Sequence, residues 1–221
     1  GGINGAGIAR DAAGRGWSVC LCEQDDLAAH TSKGLTPRTR AMFRTIEAWA
    51  QAAMGRGQAM RRTLGEAETL FVSDRGDAEP PNWMQMFDKA DLHGMQALAY
   101  RTLAEFEPGA AAHAQHYADK ALALRIDGRQ RSKIFDYLSM ASACFIADDP
   151  EQADRYARLA LVSMGSNSSQ RTWDRLRQMY RLTAEYAGYP RIQELREEIE
   201  LALPRPRSSR GKGPGGNVAP A

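Results

Sequence analysis

Apolar positions recur three and four residues apart along residues 36–203, and this spacing predicts a succession of amphipathic helices. Thr36-Pro37 is a helix entry, a capping hydroxyl followed by proline in the first turn. That helix is predicted to run to about Met54, with Met42, Phe43, Ile46, Trp49, Ala50 and Ala53 on its apolar side. Gly55-Arg56-Gly57 ends it. A second helix, Gln58 to about Val72, carries the stripe Met60, Leu64, Ala67 and Phe71, and the two form a helical hairpin. A loop over 73–82 leads to a short helix at 83–87 and a longer one, capped by Asp88, to about Phe106. Further helices are predicted over 110–125, 130–147, 150–164, 169–187 and 190–203, punctuated by Pro108-Gly109, Gly128, Asp149-Pro150, Gly165 and Gly188-Tyr189-Pro190. Helix 130–147 is apolar on most sides (Ile134, Phe135, Leu138, Met140, Ala141, Cys144, Phe145), which predicts central burial. Helix 169–187 presents Trp173, Leu176, Tyr180, Ala184 and Ala187. The last presents Ile192, Leu195, Ile199 and Leu203, with an acidic and basic outer face suited to the end of a stack.

One nine-residue pattern occurs twice. Ala114-x-x-Tyr117-Ala118-x-x-Ala121-Leu122 returns, 39 positions later, as Ala153-x-x-Tyr156-Ala157-x-x-Ala160-Leu161. Alanines at this spacing line one side of a helix and admit a close neighbour, while the tyrosine fills the space beside them. A period of this length is a sign of stacked helical hairpins. The expected fold is therefore all-α, a tetratricopeptide-like right-handed stack of about eight helices over 35–203, with a short N-terminal α-β appendage over 1–34 and a disordered tail over 204–221.

The two ends differ from the body. Residues 1–34 open on glycines, continue as a helix from about Asn4 to Arg15, and end in an alternating strand, Trp17 to Glu23. A glycine turn at a helix N-terminus suits a pyrophosphate, and an acid about 20 residues on suits a ribose; Gly5 and Glu23 are 18 positions apart. The strand has no evident sheet partner in so short a segment. The tail is rich in Pro, Arg, Ser and Gly and has too little apolar surface to order itself. An opening without Met reads as a sequence incomplete at its start.

Composition narrows the picture little. A net charge of +2 argues neither for nucleic acid nor for an acidic partner, and no apolar run reaches the length of a membrane span, so no membrane partner is expected. Three cysteines, Cys20, Cys22 and Cys144, read as reduced and packed, which fits a cytoplasmic protein. His113 and His116 stand one helical turn apart with only Asp119 or Asp127 nearby as a third ligand, and they read as exposed or cap-facing, so no metal site is expected. Asp148-Asp149 reads as a helix boundary. No nucleophile elbow or phosphate loop occurs in the body, so no catalytic residue is assigned. Arg171 and Arg175 form a polar stripe beside Trp173. With Lys133 and Tyr137 one unit earlier, they are the candidate partner-binding residues on the concave side of the stack.

Two family resemblances attach to these segments. Residues 1–32, GGINGAGIARDAAGRGWSVCLCEQDDLAAHTS, resemble the N-terminal flavin-binding fingerprint of FAD-dependent glycerol-3-phosphate dehydrogenases. By that resemblance Gly2 and Gly5 are the last two fingerprint glycines and Glu23 is the ribose-binding acid. The first fingerprint glycine and the strand before it have no counterpart here, and after Ser32 the family's continuation gives way to Lys33-Gly34-Leu35. Residues 41–203 resemble the tetratricopeptide-like region of helix-turn-helix transcriptional regulators of the xenobiotic-response-element type. That likeness is carried by Trp83 to Tyr100, HAQHYADKALAL, EQADRYARLALVS and DRLRQMYRLTAEYAGYPRIQELREEI. It implies a protein or peptide partner in the concave groove and a possible homodimer. Residues 1–40 contain no helix-turn-helix, so direct DNA binding is in doubt.

The leading expectation is a non-enzymatic interaction module, the sensing or dimerising region of a transcriptional regulator, with no cofactor. The alternative is an FAD-dependent glycerol-3-phosphate dehydrogenase fragment with FAD held by Gly2, Gly5 and Glu23.

Overall fold

The computed structural model describes residues 36–76, 87–125, 129–165 and 169–204. The glycine-rich opening, the 17–23 strand, Gly2, Gly5, Glu23, the short helix expected at 83–86 and the tail from 205 lie outside the described residues. Within them the structure is all-α. Eight α-helices follow one another: α1 (Pro37–Ala53), α2 (Gly57–Val72), α3 (Lys89–Leu103), α4 (Ala110–Leu124), α5 (Gln130–Ile146), α6 (Pro150–Met164), α7 (Gln170–Leu182) and α8 (Pro190–Ala202). A 3-10 turn, Thr183–Tyr186, extends α7.

The ends of these helices are written locally. Thr36 accepts from the Thr39 N–H, with Pro37 in the first turn of α1. Asp88 and Asp91 form a reciprocal capping box on α3, and Ser169 and Thr172 do the same on α7. Asp149 caps α6 through the Gln152 N–H at 3.0 Å, with Pro150 following. Gly55 has φ +69°, a left-handed turn that lets α2 fold back on α1.

Consecutive helices pack as pairs, α1 with α2, α3 with α4, and α5 with α6. The first members also touch one another in a row, α1 to α3 to α5 to α7, and α6 meets α8. Helix α5 lies amid this arrangement, against α3, α4, α6 and α7, so it is buried nearly all round, as its apolar sequence predicts.

The repeated nonapeptide explains the tight pairing. Ala114, Ala118 and Ala121 on α4, and Ala153, Ala157 and Ala160 on α6, are all wholly buried. Each motif tyrosine lies against a tyrosine of its paired helix: Tyr117 on Tyr100 at 5.5 Å between centroids, and Tyr156 on Tyr137 at 6.3 Å. A methyl is all that fits at the alanines. Ala118→Leu should lower stability by about 1–3 kcal/mol by overpacking. Ala123→Leu on the exposed side of α4 should leave the chemical-denaturation midpoint nearly unchanged.

Two helices turn a different face inward from the one predicted. On α1 the buried stripe is Thr39, Ala41, Thr45, Ala48 and Ala52, while Ile46, Ala50 and Ala53 are exposed. Close approach to α2 and α3 selects small side chains. The buried Thr45 hydroxyl is satisfied by donating to the Met42 carbonyl at 2.7 Å. On α7 and its extension the buried set is Thr172, Leu176, Met179, Thr183 and Tyr186 rather than the Trp173–Tyr180–Ala187 line. The 3-10 turn shifts the register there, and the Tyr186 hydroxyl donates to the Phe145 carbonyl at 2.8 Å.

Candidate functional site

Three helices of the row, α3, α5 and α7, border a small depression that is open on one side. It is lined by Arg101 from α3, by Leu138, Ser139 and Ser142 from α5, and by Arg175 and Gln178 from α7, and its enclosed part measures about 10 Å³. Two of these side chains are fixed by neighbours. The Arg175 guanidinium lies 4.9 Å from the centroid of Trp49, and its Nη1 donates to Gln178 Oε1 at 2.9 Å. Trp49 in turn donates from Nε1 to Thr102 Oγ1 at 3.2 Å, so a residue of α1 reaches both α3 and α7. Ser142 donates to the Leu138 carbonyl at 2.7 Å.

Arg101 is 5% exposed. Its Nη1 pairs with Glu105 Oε1 at 2.9 Å, and Glu105 is half exposed. Burial pulls this guanidinium below its ordinary pKa, against the attraction of Glu105. Its Nε is buried and has no hydrogen-bond partner among the described residues.

A second charged group joins α3 to α5. Arg125 donates from Nε to Asp136 Oδ2 at 2.7 Å and from Nη1 to Asp91, while Arg129 Nη1 reaches Asp91 Oδ2 at 2.7 Å. Arg125 and Asp136 are each about 3% exposed at their side chains. Burial lifts the Asp136 carboxyl to about 6 in spite of Arg125. Burial works against the Arg125 charge, but its bonds to Asp136 and Asp91 outweigh that and raise its pKa. A methyl on Gly94 would stand 2.7 Å from Asp136 Oδ1, so α3 passes this pair only where it has no side chain.

The remaining candidates are structural. His93 shares a 2.8 Å hydrogen bond between Nδ1 and Gln96 Oε1, and burial lowers its pKa, so it is a neutral core histidine at pH 7. His113 stacks on Tyr100 at 4.9 Å and His116 meets Tyr117 edge-on at 5.2 Å. Among the described residues no three of His, Cys, Asp or Glu gather as a metal site. Burial pushes the Cys144 thiol up to about 12, which keeps it protonated and unreactive. Asp154 is wholly buried between Arg158 Nε at 2.8 Å and Arg191 Nε at 2.5 Å, tying α6 to α8. Among the described residues no helix is long and apolar enough to cross a membrane.

Of the four partner-binding candidates, Arg175 lies in the depression. Tyr137 faces Tyr156 of α6, Lys133 lies one turn before it on α5, and Arg171 is exposed at the start of α7. Arg101, Ser139, Ser142, Arg125 and Asp136 were not legible as site residues. Asp136 left one signal, an acid between Phe135 and Tyr137 in an otherwise apolar helix.

Comparison with known proteins adds what the helices do not carry. Residues 1–202 match the FAD dependent oxidoreductase (DAO) family. The chain belongs to that family. It is 47% identical over 72 residues to a glycerol-3-phosphate dehydrogenase of Pseudomonas tolaasii, and equally to one of Pseudomonas aeruginosa; each stretch is 33% of this chain and 13% of the relative. It is 75% identical over 32 residues to a D-erythritol 1-phosphate dehydrogenase of Brucella abortus, a stretch covering 14% of this chain and 6% of that protein. The chain thus spans about an eighth or less of the length of these curated relatives. No solved structure matches it.

Membership in the FAD-dependent oxidoreductases corrects two expectations. The main reading, a non-enzymatic module of a transcriptional regulator, gives way to an FAD-dependent oxidoreductase, because the family match runs through the helical body to residue 202. Nothing supports the likeness to helix-turn-helix regulators. The expectation of no cofactor is overturned too, since the family is defined by FAD. The similarity misled because alanine and tyrosine at helical spacing are what any close helix pair requires.

The depression just described does not fit FAD. Its enclosed part of about 10 Å³ takes one oxygen-sized group, far less than a flavin ring. Among the described residues no strand and glycine turn lead into a helix N-terminus.

Proposed function

We propose that the chain is part of an FAD-dependent dehydrogenase of a small phosphorylated polyol, with glycerol 3-phosphate as the leading substrate. The observation that carries this reading is the family match over residues 1–202, taken with relatives named for glycerol 3-phosphate and erythritol phosphate. Residues 1–34 form the nucleotide-binding part. There Gly2 and Gly5 let the pyrophosphate approach the backbone, and Glu23 accepts from the ribose hydroxyls.

FAD titration of the purified chain, read by quenching of flavin fluorescence, tests this. Saturable binding is expected, together with its loss in Gly5→Val and weakening in Glu23→Ala. Dye-coupled oxidation of glycerol 3-phosphate by the FAD-loaded chain then tests the substrate. A strongly helical protein that takes up no FAD would overturn the reading.

A further inference from the structure

We infer that the depression between α3, α5 and α7 is a binding site for the head of a small oxyanion, a carboxylate or a phosphate. The reason is the state of Arg101. A guanidinium this deeply buried needs its donors satisfied, and a missing partner for a buried donor is costly. Glu105 takes Nη1 from the half-exposed side. The Nε–H is left inside without a partner among the described residues. On a guanidinium, Nε–H and one Nη–H are parallel and match two oxygens of a carboxylate or phosphate.

The rest of the lining suits the same guest. Arg175 adds a second positive charge, held in place by the Trp49 ring and by Gln178. Ser139, Gln178 and Leu138 also line the depression. Arg101 and Arg175 both line the depression, and Glu105 meets the Arg101 charge from the half-exposed side. In so desolvated a place one anionic group is favoured and a further cation is not. The enclosed volume of about 10 Å³ admits one oxygen. The remainder of the head and any attached chain lie in the open mouth. The inference does not depend on FAD, because every residue it uses lies in the helical body.

Inorganic phosphate and, separately, acetate should be titrated into the full chain at constant ionic strength, with chloride as the reference anion. The readouts are the Arg101 Nε–H resonance and the thermal midpoint. At least one of the two anions should shift that resonance saturably and raise the midpoint. Arg101→Lys keeps the charge but removes the parallel donors, and should weaken binding about tenfold or more, the worth of one charge-assisted hydrogen bond. Ser139→Leu keeps both arginines but fills the depression, and should abolish the saturable shift. Arg62→Gln, exposed on α2 and outside the depression, should leave it unchanged. Saturation by phosphate alone identifies a phosphoryl head, and by acetate alone a carboxylate. A response that never saturates, matches chloride, or survives in both Arg101→Lys and Ser139→Leu would overturn the site. FAD binding, read independently by fluorescence, can succeed or fail without changing the outcome of the anion titration.

Discussion

Arg125→Met will cost about 3–5 kcal/mol of folding stability, the usual cost of leaving one member of a buried ion pair without its partner. Asp136, about 3% exposed and deep in the most central helix, cannot turn to water when Arg125 is gone. Asp91 would lose its Arg125 partner as well but keeps Arg129, so the loss falls on Asp136. Replacing both members, Arg125→Met with Asp136→Leu, should recover most of the stability, since a well-packed apolar pair needs no compensation.

The pH dependence of that variant follows from Asp136. In the wild type its carboxyl sits at about 6, above the ordinary 3.8. A raised acid favours the folded state fully below its unfolded value, and that share is lost as pH rises through about 6. Removing Arg125 takes away an attraction that lowers the pKa, so the carboxyl moves further up. The penalty of Arg125→Met should therefore be smaller at about pH 5 than at about pH 8. Urea melts of both proteins at the two pH values read this directly. An equal penalty at both would show that Asp136 is not the group left uncompensated.

Ile134→Ala will cost about 2–5 kcal/mol, while Ile46→Ala will cost well under half of that. Periodicity assigned both isoleucines to the apolar face of a helix, so sequence does not separate them. The structure does. Ile134 is wholly buried in the core that α5 shares with α6, α7 and α8, and its removal leaves a cavity that helices packed on several sides cannot collapse. Ile46 is 38% exposed on α1, so its truncation removes contacts already shared with water. Denaturant midpoints of the two variants at unchanged m-value give the comparison. Similar losses at both sites would restore the face of α1 read from the sequence.

How far the chain declared itself depends on the range of the interaction concerned. Helix starts are settled within a few residues, so Thr36-Pro37, Asp88 and Asp149-Pro150 could be read directly, and each caps the helix it announced. The paired nonapeptide was also legible, because alanine three and four apart has one main use, close packing, and all six alanines are buried. An all-round apolar stretch such as 130–147 has nowhere to go but the centre.

Which face of an amphipathic helix turns inward is another matter when both faces are plausible. On α1, Met42, Ile46 and Trp49 compete with Ala41, Thr45, Ala48 and Ala52, and the larger transfer energy belongs to the first set. The second set is buried because two neighbouring helices approach closely, a distance that no local pattern records. The charged groups follow the same rule. Arg125 meets Asp91 and Asp136, Arg191 meets Asp154, and Arg101 comes to line one depression with Ser139 and Arg175 only after separate helices are laid side by side. The opening residues resemble a flavin fingerprint in their wording, and the match of residues 1–202 to the FAD dependent oxidoreductases is consistent with that resemblance. Sequence by itself therefore determined the helices and their order, both of them properties of neighbouring residues. The tertiary structure decided the inward faces, the buried ion pair and the arginine depression, because each depends on the separation and angle between helices that are remote in the chain.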